Sequence, residues 1–584
     1  MKDIKENMPS PKELEKEISD FLAKRFGNNV KLVPPVVFPQ QASQEASEKP
    51  IKVGGKIQFD LKPEELIAYL DHYIIKQDQA KAVLATKICT HFNRVKRFQD
   101  SGYNLPEMVG QIKNNVLMMG PTGVGKTYMV KLIAQKIGVP FVKGDATKFS
   151  ETGYVGGDVE DLIRDLVREA DGDIELAQYG IVYIDEIDKI ASSRNLIGAD
   201  VSRTGVQRAL LKPMEETEVD LKVPHDPISM LQEIERFRKT GKRESSVVNT
   251  KHILFIVSGA FQELPEIISK RLVSRNIGFG AAVGTRDDNT EWLKQVQSED
   301  LIHYGFESEF VGRLPVRAIF ERLTETDLFD ILKNPNNPII LGKKLDFNAY
   351  DIDIKFDDAL LKHLATIAHK ENTGARGLVS AVETALMDFE KRLPSLKVSQ
   401  FPATGDIVAN PGKALDSISQ SPQGSHWSEI FAQLVQAEKR HIAKYLEDNW
   451  AKWADQYPLS LTAGRIEAVA TCFVYRVMDI TMAIEKVQDC YDQIKQIELQ
   501  FFKNNEINIV FEEAAIDYLI EKRVMGIDTV DSIYQRLTND FEHGFRLILE
   551  KTGKNRFFLP KDALIDPETY LDELVRTELK KRIQ

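Results

Sequence analysis

The 584-residue sequence has only three cysteines, Cys89, Cys472 and Cys490, and no two of them form a C-x-x-C pair. This scarcity argues against a disulfide framework or a four-cysteine zinc site. We therefore predict a protein that binds no zinc and works in a reducing compartment, the cytoplasm. No segment approaches the roughly 18 apolar residues that a membrane-spanning helix needs. The charged N-terminus also lacks the apolar stretch of a signal peptide, so we predict no membrane partner.

An excess of positive charge is also missing. The 77 lysines and arginines are outnumbered by 88 aspartates and glutamates, which gives a formal net charge of −11. Charge of this sign argues against a protein held on nucleic acid, and we predict no nucleic-acid partner. The content of 42% hydrophobic and 28% charged residues is ordinary for a globular protein. The length predicts roughly three to five domains.

Changes of composition along the chain predict its division into segments. Residues 60–330 alternate apolar strands with amphipathic helices, the pattern of a parallel sheet flanked by helices. A weak repeat follows, because Ile352–Ala359 resembles Ile507–Ala514, and each copy is a short alternating strand with an acidic helix start. The predicted segments are a helical N-terminus (1–33), a linker (34–59), the α/β domain (60–330), a small α-rich domain (340–415), a mostly helical insert (425–505) and a second unit like the small domain (506–584).

A glycine-rich loop lies between a predicted strand, Asn115–Met119, and a helix with an apolar stripe. Glycine lets backbone N–H groups turn towards phosphate oxygens, and the following helix points its positive end at the same anion. Lys126 would neutralise the β- and γ-phosphates, and Thr127 would bind Mg²⁺. The loop therefore predicts binding of ATP with Mg²⁺. It matches the pattern G-x-x-x-x-G-K-[ST] and comprises Gly120, Pro121, Thr122, Gly123, Val124, Gly125, Lys126 and Thr127.

Two carboxylates follow another predicted strand, Ile181–Ile184. A buried parallel strand places its C-terminal end at the ligand crevice, so Asp185 and Glu186 are expected beside the glycine-rich loop. Asp185 would hold Mg²⁺, directly or through water, and Glu186 would orient and activate the attacking water. An acidic helix cap is the alternative for such a pair on its own. A phosphate-binding loop in the same α/β region favours the catalytic role.

With these motifs the sequence resembles the AAA+ ATPases and, within them, the ClpX family of protein unfoldases, from about Leu61 to Leu393. The resemblance implies that residues 60–330 and 340–415 are the large and small domains of one P-loop ATPase module, which assembles into a homo-hexamer. It also implies that Ile74 and Ile75 pack on adenine, with ordinary core packing as the alternative. Lys76 stands where the family usually has glycine, which leaves the form of that turn open.

The resemblance assigns roles to further polar residues. Arg313 would act as an arginine finger on the nucleotide of a neighbouring subunit, with a surface ion pair as the alternative. Arg376 would respond to the nucleotide from the small domain of the same subunit. Ser258 follows the predicted strand Ile253–Val257, at the position of a polar sensor in the family.

Two loops resemble those with which the family handles proteins. Tyr154 and Val155, set between two glycines, match the pore loop that grips an extended polypeptide; local packing is the alternative. Ile277, Gly278 and Phe279 resemble the loop that docks on the ClpP peptidase, and a loop folded onto its own domain is the alternative. The sequence departs from the family because it has no N-terminal four-cysteine domain and continues beyond about residue 415.

These features predict an ATP-dependent unfoldase that threads protein substrates through a hexameric pore and delivers them to a ClpP-type peptidase. A stand-alone chaperone or remodeller is the first alternative. A nucleic-acid motor is disfavoured by the net charge and by Tyr154, which stands where a basic pore residue would be expected. A non-hydrolysing scaffold is disfavoured because every expected catalytic position is filled: Lys126, Asp185, Glu186, Arg313 and Arg376.

Overall fold

The computed structural model describes the chain from Phe59 onward, with gaps. The predicted N-terminal helical segment and all of the predicted linker except Phe59 lie outside the described residues. None of the helices within the described ranges combines the length and apolar character needed to cross a membrane. The described ranges are 59–100, 113–149, 157–191, 201–221, 247–275, 289–421, 424–453, 457 and 459–580.

A five-stranded parallel sheet forms the centre of the large domain. In chain order the strands of the domain are β1 (Val116–Met119), β2 (Phe141–Asp145), β3 (Ile181–Asp185), the separate antiparallel pair β4 (Glu218–Asp220) and β5 (Val247–Asn249), β6 (Leu254–Gly259) and β7 (Val316–Ile319). The sheet has the order β2-β3-β6-β1-β7, with β1 between β6 and β7. The prediction of a parallel α/β sheet is confirmed.

Helices cover both faces of this sheet because its strands alternate their side chains between two cores. Val116 and Met118 join one core, whereas Leu117 and Met119 join the other. The helices of the large domain are α1 (Pro63–Asp71), α2 (Asp78–Asp100), α3 (Lys126–Ile137), α4 (Asp161–Glu169), α5 (Ile174–Ala177), α6 (Val201–Met214), α7 (Leu264–Arg275), α8 (Asn289–Lys294), α9 (Ser298–Tyr304) and α10 (Ser308–Gly312).

The small domain begins at a capped helix. Thr324 and Asp327 form a reciprocal capping box at the start of α11 (Glu325–Lys333), which packs on α13 although it precedes the predicted start of the domain at residue 340. Residues 334–337 then link α11 to the rest of the domain. The remaining elements are α12 (Pro338–Asn348), β8 (Asp353–Phe356), α13 (Asp358–Lys370), α14 (Ala375–Arg392), β9 (Gln400–Ala403), α15 (Gly405–Ala409) and α16 (Pro411–Gln420).

Three long helices follow and make up the segment predicted as a helical insert. They are α17 (Ser425–Asn449), α18 (Ala463–Tyr475) and α19 (Ile480–Asn505). Helix α17 packs on β8 and β9 of the small domain on one side and on α18 on the other. The insert therefore joins the small domain to the C-terminal unit, which comprises β10 (Asn508–Phe511), α20 (Glu513–Val524), α21 (Val530–Thr552), β11 (Arg556–Leu559), α22 (Lys561–Ile565) and α23 (Pro567–Lys580).

The small domain and the C-terminal unit share one topology. Each has a strand, two helices, a second strand parallel to the first, a five-residue helix and a longer final helix. Strand β8 pairs with β9 and β10 pairs with β11, both in parallel. The final helix begins at proline in both, Pro411 and Pro567, after Asn410 and Asp566. The repeat in the sequence coincides with the first strand and helix start of each copy.

A charge network fastens α17 to the small domain. The carboxylate of Glu438 pairs with the ammonium groups of Lys344 and Lys355, both of which are buried. The Lys355 ammonium group also donates a hydrogen bond to the carbonyl oxygen of Val474. Burial alone would raise the pKa of Glu438, but the two lysines outweigh this effect and hold its pKa below the usual value.

Neutralising the Glu438 carboxylate should destabilise the folded protein at neutral pH. We expect Glu438→Gln to lower the free energy of unfolding by about 2–3 kcal/mol at pH 7, because it removes the negative charge that the two buried lysines share. Since the pKa of Glu438 is depressed on folding, its stabilising effect is present above the unfolded-state pKa and is lost as the pH falls through the folded-state pKa. Urea unfolding curves of the two proteins should therefore differ at pH 7 and converge at acidic pH, where Glu438 is protonated.

The exposed pair Glu467–Lys439 offers a matched control for this prediction. Glu467→Gln should change the free energy of unfolding by less than about 1 kcal/mol, because exposed ion pairs contribute little. Equal losses in Glu438→Gln and Glu467→Gln would contradict the role assigned to the network.

Candidate nucleotide site

The glycine-rich loop follows β1 at its C-terminal end and leads into α3, whose first residue is Lys126. Gly123 has a φ of 77°, and its carbonyl oxygen accepts a hydrogen bond of 2.8 Å from the N–H group of Ala375 in the small domain. A Cβ atom at Gly123 would lie 2.0 Å from the carbonyl oxygen of Thr373. Only glycine suits this place, because the loop and the small domain are in direct backbone contact.

Lys126 turns its ammonium group into the loop. The group lies 2.7 Å from the carbonyl oxygens of both Gly120 and Pro121. Burial lowers the pKa of Lys126 to about 8, an effect that Asp185 and Asp188 only partly offset. A buried cation that faces neutral carbonyl groups is suited to an anion, and the chemistry of this site therefore fits a nucleotide phosphate.

The predicted metal ligands lie together behind the loop. The hydroxyl group of Thr127 is 3.4 Å from Oδ2 of Asp185 and 3.1 Å from the Tyr183 hydroxyl group. Ser258 lies 2.6 Å from Tyr183 and donates a hydrogen bond of 2.6 Å to Oδ1 of Asp185. An oxygen-rich set that includes a carboxylate and a hydroxyl group fits Mg²⁺, which Asp185 and Thr127 would hold and which would neutralise phosphate charge when bound.

Lys143 of β2 completes the surroundings of Asp185. Its ammonium group lies 3.0 Å from Oδ2 of the carboxylate. Burial alone would raise the pKa of Asp185, but the hydrogen bond from Ser258 and the charge of Lys143 more than compensate, so its pKa is lower than usual. Asp185 is thus kept ionised, which is the state that a metal ligand requires.

Glu186 stands at the edge of the same group with its side chain exposed. Its backbone is left-handed, with φ 58° and ψ 32°, and it precedes a 3₁₀ helix, Ile187–Ile190. Its N–H group donates to Oδ1 of Asp185 at 3.1 Å. Left-handed backbone is unfavourable for a residue other than glycine and is concentrated at functional sites. The turn directs Glu186 into the cleft, away from the sheet.

The other end of the cleft is formed by the segment after α1. Ile74 is buried and Ile75 is half-buried, and both line the cleft. The next residues, Lys76 and Gln77, have φ values of 61° and 66°. Lys76 thus adopts the conformation that favours glycine, and an ion pair of 2.9 Å with Asp327 helps to hold it there. The turn therefore has the left-handed form that glycine would adopt in its place.

These elements enclose one cleft between the large and small domains, with a volume of about 390 Å³. That volume is within the usual range for small-molecule sites. Residues 334–337, which join α11 to α12, contribute Asn334 and Asn337 to its wall. Of the residues predicted from the sequence, the cleft wall contains Ile74, Ile75, Thr122, Gly123, Val124, Gly125, Lys126, Thr127, Asp185, Glu186 and Arg376.

Four predicted residues of the described chain are not part of this wall: Gly120, Pro121, Ser258 and Arg313. Pro121 contributes its carbonyl oxygen to Lys126 instead. Arg313, at the end of α10, forms an ion pair with Glu215. Its role as a finger towards a neighbouring subunit stays a prediction, as do the roles of Tyr154, Val155 and the tripeptide Ile277, Gly278 and Phe279, which lie outside the described residues.

Several residues of the site were not predicted from the sequence. Lys143 and Tyr183 lie on adjacent strands and face each other in register, next to Asp185. Asp188 is buried and accepts a hydrogen bond of 3.3 Å from the N–H group of Phe261. The one available signal was polarity, because Lys143 and Tyr183 interrupt otherwise apolar strands. Tyr73, beside Ile74, also lines the cleft.

The sheet order, the phosphate-binding loop at the end of β1 and the acidic pair at the end of β3 define a P-loop ATPase of the AAA class. In agreement, the family model described as "AAA domain (Cdc48 subfamily)" matches residues 111–317. The chain is therefore an ATPase, and its cofactors are ATP and Mg²⁺. The absence of zinc stays a prediction.

Curated relatives identify the family more closely. The protein named "ATP-dependent Clp protease ATP-binding subunit ClpX" from Treponema denticola is 40% identical over 342 residues, which cover 57% of this chain and 78% of that protein. The protein of the same name from Borrelia duttonii is 40% identical over 355 residues, which cover 60% of this chain and 78% of that protein. The chain belongs to the ClpX family.

Proposed function

We propose that the protein is an ATP-driven unfoldase that works as a hexameric ring and pulls polypeptides through its centre. The observation that carries this proposal is the position of the nucleotide cleft between two domains. Gly123 and Ala375 touch across it, and Arg376 reaches it from the small domain. A nucleotide that binds there contacts both domains, so its hydrolysis changes their preferred relative orientation.

Within this proposal, each residue of the cleft has a stated task. Lys126 binds the phosphates, Thr127 and Asp185 hold Mg²⁺, and Glu186 orients and activates the attacking water. Ile74 and Ile75 pack on adenine. Arg376 couples the bound nucleotide to the position of the small domain. Because these groups are set in place before the nucleotide arrives, little rearrangement is needed at the moment of reaction.

The position of Arg313 is evidence in favour of a ring of subunits. The residue is not part of the cleft wall of its own chain, and its side chain is 43% exposed beside Glu215. An arginine in this position serves catalysis only if a second copy brings its nucleotide to it. We therefore propose a homo-hexamer in which Arg313 completes the site of the adjacent subunit.

The partner peptidase is proposed from the relatives. Their printed name makes them the ATP-binding subunit of the Clp protease. The tripeptide Ile277, Gly278 and Phe279 supplies an apolar plug in a glycine-containing segment, which suits a pocket on a ClpP-type peptidase. The protein substrates would enter past Tyr154 and Val155, whose side chains grip an extended backbone without regard to its sequence.

The proposal predicts a separation of two activities. Tyr154→Ala should reduce the unfolding rate of a fluorescent protein with a disordered tail by at least tenfold, because the grip on the chain is lost. ATP turnover should stay within about threefold, since the proposal gives Tyr154 a role in gripping the substrate and none in binding the nucleotide. Both rates are measured on the purified full-length protein with a ClpP-type peptidase present. Tyr350→Ala, which removes an exposed tyrosine of the small domain, is the control.

The peptidase is tested in the same assay by deleting Ile277–Phe279. Degradation should stop, whereas unfolding and ATP turnover should continue. Full unfolding by Tyr154→Ala would exclude the pore-loop role. ATP-dependent unfolding that never leads to degradation, even with the intact loop, would favour the stand-alone remodeller.

A further inference from the structure

The helical insert contacts the nucleotide cleft from outside. Trp453 lies just after α17, in the stretch that leads to α18, and its side chain is buried against the end of α1. Its indole N–H group donates a hydrogen bond to Nε2 of His72, and the two ring centroids are 4.4 Å apart. His72 lies two residues before Ile74, at the point where the chain enters the cleft wall.

A second contact runs through residues 334–337, which join α11 to α12 of the small domain. The side-chain amide of Asn336 is buried, and its nitrogen donates a hydrogen bond of 3.2 Å to the carbonyl oxygen of His72. Its oxygen accepts a hydrogen bond of 3.1 Å from the N–H group of Ile480, the first residue of α19. One side chain therefore bridges the insert and the cleft segment. Asn334 donates to the same His72 carbonyl oxygen at 3.0 Å.

Tyr73 extends the contact to the inside of the cleft. Burial raises the pKa of its hydroxyl group, which lies beside the Thr481 side chain, and the nearby carboxylate of Asp479 adds to the effect. Tyr73 and Tyr128, the third residue of α3, both line the cleft. The start of α19 thus faces the outer side of the wall whose inner side faces the nucleotide.

The insert also holds the small domain at two places, through Glu438 and through His441. The ring of His441 lies 3.2 Å from the carbonyl oxygen of Lys333, the last residue of α11. The insert therefore contacts both the large domain and the small domain around a single cleft. A peripheral docking module would need none of these buried polar contacts, which are costly to form unless both partners are fixed.

We propose that the helical insert is a working part of the ATPase site, and that Trp453 and Asn336 are positioning residues that hold His72–Ile75 in the conformation that accepts adenine. The inference rests on the proposed packing of adenine against Ile74 and Ile75. Neither positioning residue touches the nucleotide; each acts through the backbone and ring of His72.

The proposal predicts that substitutions of the two positioning residues weaken binding of the adenine base and leave binding of the phosphates unchanged. Trp453→Phe keeps an aromatic ring but removes the N–H donor, and Asn336→Ala removes the bridge to Ile480. In both variants the KM for ATP and the Kd of a fluorescent ATP analogue should rise about three- to tenfold, the usual consequence of one lost hydrogen bond. The kcat should change less than twofold. Binding of Mg²⁺-tripolyphosphate, which has no base, should be unchanged.

The controls separate positioning from general loss of structure. Trp450→Phe alters a tryptophan that packs on Trp453 in a T-shaped arrangement and should leave all four quantities unchanged. Thermal unfolding of each full-length variant shows whether it folds. Trp453→Phe is the milder change and keeps the test possible if the Asn336→Ala protein does not fold. An unchanged affinity for ATP in folded Trp453→Phe would overturn the proposal. Equal weakening of ATP and tripolyphosphate would also overturn it, since that outcome marks a general structural defect.

Failure of the underlying adenine assignment has a different signature. If the unaltered protein binds tripolyphosphate as tightly as ATP, the base is not recognised in the cleft, and both proposals fall. If the unaltered protein prefers ATP and the two variants keep that preference, only the role of the insert is lost.

Discussion

Replacing Glu186 with glutamine should reduce ATP turnover by roughly 10²–10⁴-fold while ATP remains bound, because glutamine keeps the shape of the side chain but cannot accept a proton. The left-handed backbone at Glu186 directs the side chain into the cleft beside Asp185, and this geometry should survive the substitution. Lys126, Thr127 and Asp185 are untouched, so the binding contacts stay in place. Phosphate release measures the turnover, and a fluorescent ATP analogue measures the binding.

Glu263→Gln is the matched control for this experiment. Glu263 is an exposed glutamate that follows Gln262 of the cleft wall but is not itself part of that wall. Its substitution should leave turnover within about threefold of the unaltered protein. Turnover in Glu186→Gln that is equally well preserved would remove Glu186 from the catalytic role and leave the acidic pair as a helix cap.

Substituting Arg313 should reduce ATP turnover by a similar factor. The loss should arise in the site of the neighbouring subunit and not in the site of the altered chain. We expect Arg313→Ala to lower turnover by on the order of 10³-fold, the size of effect seen when an arginine finger is removed from a phosphoryl-transfer site. The Kd for ATP should change less than about threefold, because Arg313 is not part of the cleft of its own chain. The same phosphate-release and binding assays measure both quantities.

A mixing experiment decides whether this arginine acts across an interface. Arg313→Ala and Glu186→Gln subunits are each inactive alone, but a mixed ring contains interfaces with one intact Glu186 and one intact Arg313. Turnover should therefore recover in part on mixing, and the absence of recovery would argue against action in a neighbouring subunit. Arg208→Ala, which breaks the exposed pair with Glu307, is the control.

The alternative of a simple surface ion pair has its own signature. If Arg313 serves only to pair with Glu215, then Glu215→Gln should cause the same loss of turnover as Arg313→Ala. A finger role predicts instead that Glu215→Gln retains most of the activity, because the arginine itself is still present.

The core of the site could be predicted because it depends on short motifs. Lys126 and Thr127 follow the loop directly, and Asp185 and Glu186 follow the strand β3 directly, so spacing along the chain was sufficient. The sheet class followed for the same reason, since central strands such as Val116–Met119 are continuous apolar runs.

The remaining residues of the site depend on strand order, which spacing does not determine. Lys143, Tyr183 and Ser258 meet around Asp185 only because β2, β3 and β6 are neighbours in the sheet. The contact between Trp453 and His72 joins residues 381 positions apart in separate parts of the fold. No local pattern around Trp453 distinguishes such a contact from ordinary core packing.

The two copies of the small-domain topology begin their second helix in different ways. In the first copy the cap is Gly374, which offers no side chain. The N–H group of Ala375 donates its hydrogen bond to Gly123 of the phosphate-binding loop. In the second, Thr529 and Ser532 satisfy each other's N–H groups in a closed box. The helix start at Gly374 therefore has to meet the needs of the nucleotide site as well as those of packing. The helix start at Thr529 has to meet only those of packing. A substitution at Gly374 or Ala375 should therefore disturb the nucleotide site as well as the fold, whereas one at Thr529 or Ser532 should disturb only the local fold.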